Sequence, residues 1–357
     1  MDLYFPNDDM MVESLSRISL KTLNTLRCTC QKIRSLTYSS YFWDLYKQRN
    51  NIVSGFIVLN YSKIRPNHEF AASRESKSLD LSFLPQKAQI LASSEQGIVV
   101  FECPHPKNYK INRYHVCKPT TKQILKLPNP KTRYLTEKVA IVLMGSNPFH
   151  YKIIRLSSPK KSFLWTQKEL YTTYCCEIFD SMKWAWRYLE LVMFPYCVLL
   201  DNPQPITIGN SIYMLTTDDE VFKVDAYLET WTMLSLPKST VEYPCYTLKK
   251  LVKYEDKLGF ACKPPNGPWE IWVRTNIDES WEKMFVFEDE DNFEGFYDSD
   301  TSVIKDYNKL LFTRFKRDSY IHKVALKDQL SHQKFVLRSD FEMADLMGGQ
   351  KVAIDVS

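Results

Sequence analysis

Ile206 to Pro237 reads ITIGNSIYMLTTDDEVFKVDAYLETWTMLSLP. Two short runs rich in β-branched and aromatic residues, Ile212 to Leu215 and Val221 to Asp225, flank the polar cluster Thr216-Thr217-Asp218-Asp219. Apolar runs of this length between turn residues are strands joined by a hairpin. After a second turn, Thr230 to Leu234 supplies a third strand, which ends in LSLP, Leu234 to Pro237. The stretch is a small antiparallel meander with one face to bury.

The same pattern recurs along the chain. DSMKWAW (Asp180 to Trp186), DAYLETW (Asp225 to Trp231) and TNIDESW (Thr275 to Trp281) each start polar and end in tryptophan, and the tryptophans are 45 and 50 residues apart. IGNSIYML (Ile208 to Leu215), YEDKLGFA (Tyr254 to Ala261) and DYNKLLFT (Asp306 to Thr313) align as a second element. LKLP, Leu125 to Pro128, matches LSLP at the end of a unit. Repeats of roughly 40–50 residues built of short strands are the signature of β-propeller blades. Six units follow, at about 54–85, 96–130, 139–187, 206–237, 250–287 and 302–337, and the weak first and third leave seven blades open. The repeated tryptophan is expected to pack between blades. A terminal strand, Lys351 to Val356, is expected to pair with the first blade and remove its exposed edge.

The first fifty residues follow a helical period instead. Met11, Leu15 and Ile18 fall on one helix face, with Asp8, Asp9 and Glu13 toward its N-terminal half. Ser19 caps a second helix carrying Leu20, Leu23, Leu26 and Cys30, and Ile33 and Leu36 sit on a third segment. Ser39-Ser40 opens a further amphipathic piece with Tyr41, Phe42, Leu45 and Tyr46. The expectation is a mainly β chain with a small N-terminal three-helix domain at 1–48 and a propeller of about six blades at 52–357.

Two resemblances sit on these residues. FPNDDMMVESLSRISLKTLNTLRCTCQKIRSLTYSSYFWDLY, residues 5–46, resembles an F-box. Phe5-Pro6, Asp8, Glu13, Leu15, Arg17-Ile18, Lys21, Leu23, Arg27, Cys30 and Arg34 keep the family register without a gap. Phe5, Ser14, Thr29 and Ile33 stand where the family has leucine, isoleucine, valine and tryptophan. CKPTTKQILKLP (Cys117 to Pro128), YKIIRL (Tyr151 to Leu156), CEIFDSMKWAWR (Cys176 to Arg187) and WEIWVRTNIDESWEKMFVF (Trp269 to Phe287) are similar to the F-box-associated, kelch-like propeller of plant F-box proteins, although the kelch double glycine is absent.

The resemblance implies a substrate-receptor subunit of an SCF (Skp–cullin–F-box) ubiquitin ligase. Phe5, Pro6, Leu15, Leu20, Cys30, Ile33 and Leu36 would line the contact with a Skp-family adaptor, and through it the cullin and RING subunits. An unknown target protein would sit on the propeller. The alternative is a ligase-independent scaffold or transcriptional cofactor with the same fold, in which Thr29 and Ile33 weaken docking. For target binding, the long segments Ser62 to Arg74, Pro104 to Arg113, Lys263 to Trp269 and Glu288 to Asp300 are expected to be rim loops. Their aromatic anchors are Tyr109, Trp269, Phe293 and Tyr297.

Composition narrows the remaining classes. Of 357 residues 44% are hydrophobic and 25% charged, which suits a folded chain, and no apolar run is long enough to span a bilayer. The start, MDLYFPNDDMM, has neither the basic nor the apolar region of a secretory signal, so the expected location is nucleus or cytoplasm. A net charge of +5 from 47 basic and 42 acidic residues argues against a nucleic-acid partner, and the lysine-rich stretches read as solvated loops. The nine cysteines lack C-x-x-C spacing and the six histidines form no H-E-x-x-H, so reduced thiols and no metal are expected. Without a nucleophile-elbow or phosphate-loop motif, no catalytic residue and no cofactor is expected.

Overall fold

The computed structural model describes residues 8–50, 52–62, 65–73, 76–94, 97–105, 108–146, 149–159, 163–165, 170–201, 204–237, 248–265, 267–275, 280–288, 293–306, 309–314, 319–326, 333–339 and 346–347. Phe5, Pro6 and the segment 351–356 lie outside them.

Four helices come first: α1 (Asp8–Leu15), α2 (Leu20–Thr29), α3 (Gln31–Tyr38) and α4 (Ser40–Arg49). The expected three-helix domain thus has four. Cys30 and Ser39 take extended backbone and break what would be one continuous run from Leu20. Ser19 and Ser39 are N-caps, accepting from the Thr22 and Phe42 amides at 3.2 Å each. The helices close on Val12, Leu15, Leu23, Phe42, Tyr46 and Ile52, with Met11, Ile18, Leu26, Ile33, Leu36 and Leu45 packed around them.

Six sheets follow, one per blade. The first holds β1 (Val53–Ser62) and β2 (Arg65–Ala72). The second holds β3 (Gln89–Ser93), β4 (Val99–His105), β5 (Asn108–Lys118) and β6 (Gln123–Lys126). The third runs β7 (Leu135–Ser146), β8 (Phe149–Ser158), β10 (Leu170–Asp180) and β11 (Ala185–Pro195), with β9 (Phe163–Trp165) inserted beside β10. The fourth is β12 (Ile206–Ile208), β13 (Ser211–Leu215), β14 (Glu220–Asp225) and β15 (Thr230–Ser235). The fifth is β16 (Leu248–Tyr254), β17 (Lys257–Lys263), β18 (Trp269–Arg274) and β19 (Trp281–Phe287). The sixth is β20 (Phe293–Phe296), β21 (Thr301–Asp306), β22 (Lys309–Arg314) and β23 (Ser319–Ala325).

The poor fit of the first and third repeats now has a cause. The first sheet has only two sequence-local strands and is completed by β24 (Gln333–Ser339), paired from Val53↔Ser339 to Leu59↔Gln333. That corrects the bounds of the sixth unit, expected at 302–337: Gln333–Ser339 belongs to the first blade, with Leu337 fully buried, while the expected partner 351–356 lies outside the described residues. In consequence the sixth blade starts earlier than expected, at Phe293. The third repeat is lengthened by the β9 insertion. At Gly55 an added Cβ would lie 2.2 Å from the Ala71 carbonyl oxygen, so the close β1–β2 approach requires glycine.

By contact density the chain forms two compact units. One comprises the helices with the first and sixth blades, and the other the second to fifth blades. In each, the core lies between successive sheets. In the first unit Phe56, Val58 and Ala71 pack with Tyr297, Val303, Leu310 and Phe312. In the second, clusters join blades two and three, three and four, and four and five. The repeated tryptophans belong to these clusters. Trp186 is buried and donates its indole N–H to the Pro128 carbonyl at 2.8 Å, and Trp281 makes the equivalent bond to Ser235 at 2.8 Å. A buried indole needs such an acceptor, and the LKLP and LSLP turns of the preceding blade provide it. Trp231 packs against the cluster between blades three and four.

Candidate functional site

The helical domain is held by buried polar anchors as well as apolar contacts. Arg27 is buried and donates from Nε to Thr37 Oγ1 at 2.9 Å and from Nη2 to the Thr37 carbonyl at 2.6 Å. Tyr46 Oη donates to the Ile18 carbonyl at 2.8 Å, tying α4 to the α1–α2 turn. Arg49 and Arg17 both pair with Glu13, and hydrogen bonds from Arg49 and then Arg17 hold that carboxyl below the ordinary glutamate range.

Among the expected adaptor contacts, Leu15 is only 8% exposed and sits inside the helical core. That corrects its role: its side chain holds the helices together and is not free to face a partner. Ile33 and Leu36 are partly buried, packed against the same core from α3. Cys30 is a half-buried free thiol in the extended link between α2 and α3, and Leu20 opens α2. Among the described side chains of the helical domain, Met10 and Tyr41 are large apolar ones left exposed, at 64% and 63%.

The expected target anchors need correcting more thoroughly. Trp269 and Phe293 are 0% exposed and Tyr297 is 5% exposed, so none of the three can be a surface anchor. Trp269 begins β18 with Lys250 Nζ 5.5 Å from its ring centroid. Phe293 begins β20 and packs on Phe296 at 5.1 Å. Tyr297 Oη bonds to Ser73 at 2.8 Å and to Ser54, locking blade six to blade one. Tyr109 lies in β5. The supposed loops are largely strand. Arg65–Ala72 is β2, 104–113 belongs to the β4–β5 hairpin, and Phe293–Phe296 is β20. Among the described residues, the β17–β18 connection and 297–300 between β20 and β21 are turns. Long polar stretches looked like inserts because hairpins that extend past the core alternate too weakly to register as strands.

The strongest electrostatic feature is one that the repeats did not flag. Arg155 on β8 and Glu177 on β10 are 2% and 0% exposed in their side chains and pair at 2.5 Å. Arg155 Nε donates to Tyr114 Oη and Thr136 Oγ1, each at 3.0 Å. Its Nη1 also donates to Thr132 Oγ1 at 3.0 Å, and Nη2 donates to the Tyr134 carbonyl at 2.5 Å. Glu177 accepts from the Thr132 amide at 2.9 Å and from its hydroxyl at 2.6 Å. The network ties blades two and three to the segment that joins them. Its sequence signal was a single Arg and a single Glu inside the apolar runs YKIIRL and CEIFD. Lone charges there mark a buried pair, because an isolated buried charge is too costly to keep.

Among the described residues, no three or more His, Cys, Asp and Glu side chains are placed to hold a metal ion. Burial pushes the Cys176 and Cys262 thiols up to about 12 and Cys103 to about 11, so these stay protonated and unreactive near neutrality. Among the described residues, no helix is long and apolar enough to cross a membrane.

Comparison with known proteins meets this geometry at both ends of the chain. Residues 7–45 match the F-box domain, and residues 58–310 match the F-box associated beta propeller domain. F-box protein At5g41720 of Arabidopsis thaliana is 30% identical over 158 residues, 42% of this chain and 84% of that one. Putative F-box protein At5g52610, also of Arabidopsis thaliana, is 20% identical over 291 residues, 78% of this chain and 77% of that protein. Among solved structures, TolB from Acinetobacter baumannii aligns at 7% identity with a TM-score of 0.48, covering 85% of this chain and 72% of TolB. An F-box match on the four helices, with a propeller match on six sheets, settles the family: the chain belongs to the plant F-box proteins that carry an F-box-associated β-propeller domain.

Proposed function

We propose that the chain is the substrate-receptor subunit of an SCF ubiquitin ligase, non-catalytic itself and working in the nucleus or cytoplasm. The helices at 1–48 dock to a Skp-family adaptor, and cullin and RING subunits follow through it. The propeller at 52–357 holds the target protein. The observation that carries this reading is the pairing of an F-box match with a propeller match in one chain. The mechanism is proximity. Tethering raises the effective concentration of target lysines near the ubiquitin-loaded enzyme, and no residue of this chain forms or breaks a bond.

On the helical surface, Phe5, Pro6, Leu20 and Cys30 are the proposed contacts, with Ile33 and Leu36 shaping α3 beneath them. Affinity purification of the tagged full-length chain from plant cells tests the reading. Recovery of Skp and cullin subunits is the expected result. Their absence, with other partners retained, selects the ligase-independent scaffold instead.

A further inference from the structure

One stretch accounts for the whole of the chain's net positive charge. Between Glu102 and Glu137 lie eight Lys or Arg residues, from Lys107 to Arg133, and no Asp or Glu. Without those eight, 39 basic residues face 42 acidic ones, and the formal charge of +5 becomes −3. Concentrated like charge repels itself in the folded state, so a chain that is otherwise slightly acidic gains nothing in stability from this arrangement.

The fold turns half of these charges outward along one strip. β6 is the edge strand of the second blade and alternates half-buried with exposed, which puts Ile124 and Lys126 on its exposed face, with Lys122 exposed in the turn just before it. Beyond it the chain keeps the same alternation for a different reason. Thr132 and Tyr134 are pulled inward by the buried Arg155–Glu177 pair. Lys131, Arg133 and Leu135 are therefore left exposed, Leu135 at 72%. Among the described residues, Lys126, Lys131 and Arg133 have no acidic side-chain partner.

We propose that this strip binds an acidic, partly apolar, extended segment of the target protein. The spacing carries the choice of ligand. Within each segment, Lys122-Ile124-Lys126 and Lys131-Arg133-Leu135, exposed side chains recur at every second residue and mix charge with apolar surface, matching a strand whose own side chains alternate between faces. β6 also offers the open backbone edge on which such a segment can add as a further strand. Single-stranded nucleic acid would need exposed aromatic platforms, and Ile124 and Leu135 stand there instead. Only the identification of the ligand as a ubiquitylation target rests on the ligase reading.

The test uses the full-length chain and a fluorescein-labelled 12-residue peptide of alternating glutamate and leucine, read by anisotropy. A lysine–leucine peptide and a 12-nucleotide oligo-dT serve as comparators. The wild-type chain is expected to bind the acidic peptide, more weakly as salt rises, and not the basic one. The variant K122E/K126E/K131E/R133E should lose about tenfold or more in affinity, whereas K122R/K126R/K131R should retain it. If the reversal variant fails to fold, K122Q/K126Q, confined to the edge strand, should still weaken binding measurably. Absence of wild-type binding, equal binding by the reversal variant, or tighter binding of oligo-dT would overturn the proposal. Titrating a Skp-family adaptor into the same reversal variant separates the two readings: retained adaptor binding with lost peptide binding supports the strip, and failure of the adaptor to bind even wild type sinks only the ligase reading.

Discussion

Replacing Glu177 by glutamine keeps the shape of a fully buried side chain and removes its charge. The carboxylate accepts at one oxygen from the Thr132 amide and at the other from Arg155 and the Thr132 hydroxyl. An amide has a single acceptor oxygen, so its NH2 must face one of those donors, and Arg155 keeps a charge that nothing nearby neutralises. Breaking one partner of a buried pair costs about 3–5 kcal/mol. Arg155→Met should cost a similar amount, because it strands the Glu177 carboxylate and also leaves the Tyr134 carbonyl without its donor, worth about 1–3 kcal/mol. The double variant buries no unpaired charge. It should be less destabilised than the sum of the singles by at least about 2 kcal/mol. Urea unfolding of the full-length chain, followed by tryptophan fluorescence, measures all three, and Trp186 in the cluster between blades two and three is a local reporter. A loss below about 1 kcal/mol for Glu177→Gln, or strict additivity, would refute the claim that this pair holds the blade junction.

Other outcomes follow from the same packing. Trp186→Phe and Trp281→Phe each remove an indole N–H bonded to the preceding blade, so each should lose about 1 kcal/mol or more of unfolding free energy, whereas Trp186→Ala should lose about 3–5 kcal/mol. Ser19→Ala and Ser39→Ala remove N-caps and should each cost about 0.5–2 kcal/mol, read as reduced helical ellipticity on mild heating. Burial alone would raise the Glu229 carboxyl, but bonds from Lys152 and Arg187 outweigh it and hold it low. Its contribution is thus present above the ordinary glutamate range and lost as pH falls through the depressed folded value. Melting curves between pH 7 and 3 should show a shallower acid limb for Glu229→Gln. In the native chain, exposed Cys197 should react with a thiol reagent well before buried Cys117, Cys176 and Cys262.

Much of the fold was legible because its signals are local and repeated. The tryptophan offset and the paired turn residues marked units that became blades three to six, and Ser19 and Ser39 announced helix starts through their side-chain chemistry. The sixth unit was drawn too far, through 337, because the pairing of Gln333–Ser339 with the first blade spans nearly three hundred residues and leaves no local trace. The anchors failed for a different reason. Trp269, Phe293 and Tyr297 sit beside prolines, glycines and acids, a composition shared by binding loops and by strands entering from a turn. Sequence alone does not separate an aromatic that caps a strand from one that meets a partner. The Arg155–Glu177 pair was hidden because its two members are distant in sequence and look like isolated exceptions in apolar runs.

The central claim is that the N-terminal helices dock a Skp-family adaptor, and one titration tests it most directly. Purified full-length chain is titrated with recombinant adaptor in a calorimeter, alongside the variant Pro6→Ala/Leu20→Asp. Burying an aliphatic anchor contributes roughly 1.5–3 kcal/mol, and a carboxylate at Leu20 adds a desolvation cost. The account predicts a one-to-one complex for the wild type and no measurable binding for the double variant, with the helical ellipticity of both unchanged. A wild-type chain that gives no heat, or a double variant that binds as tightly as wild type, would contradict it.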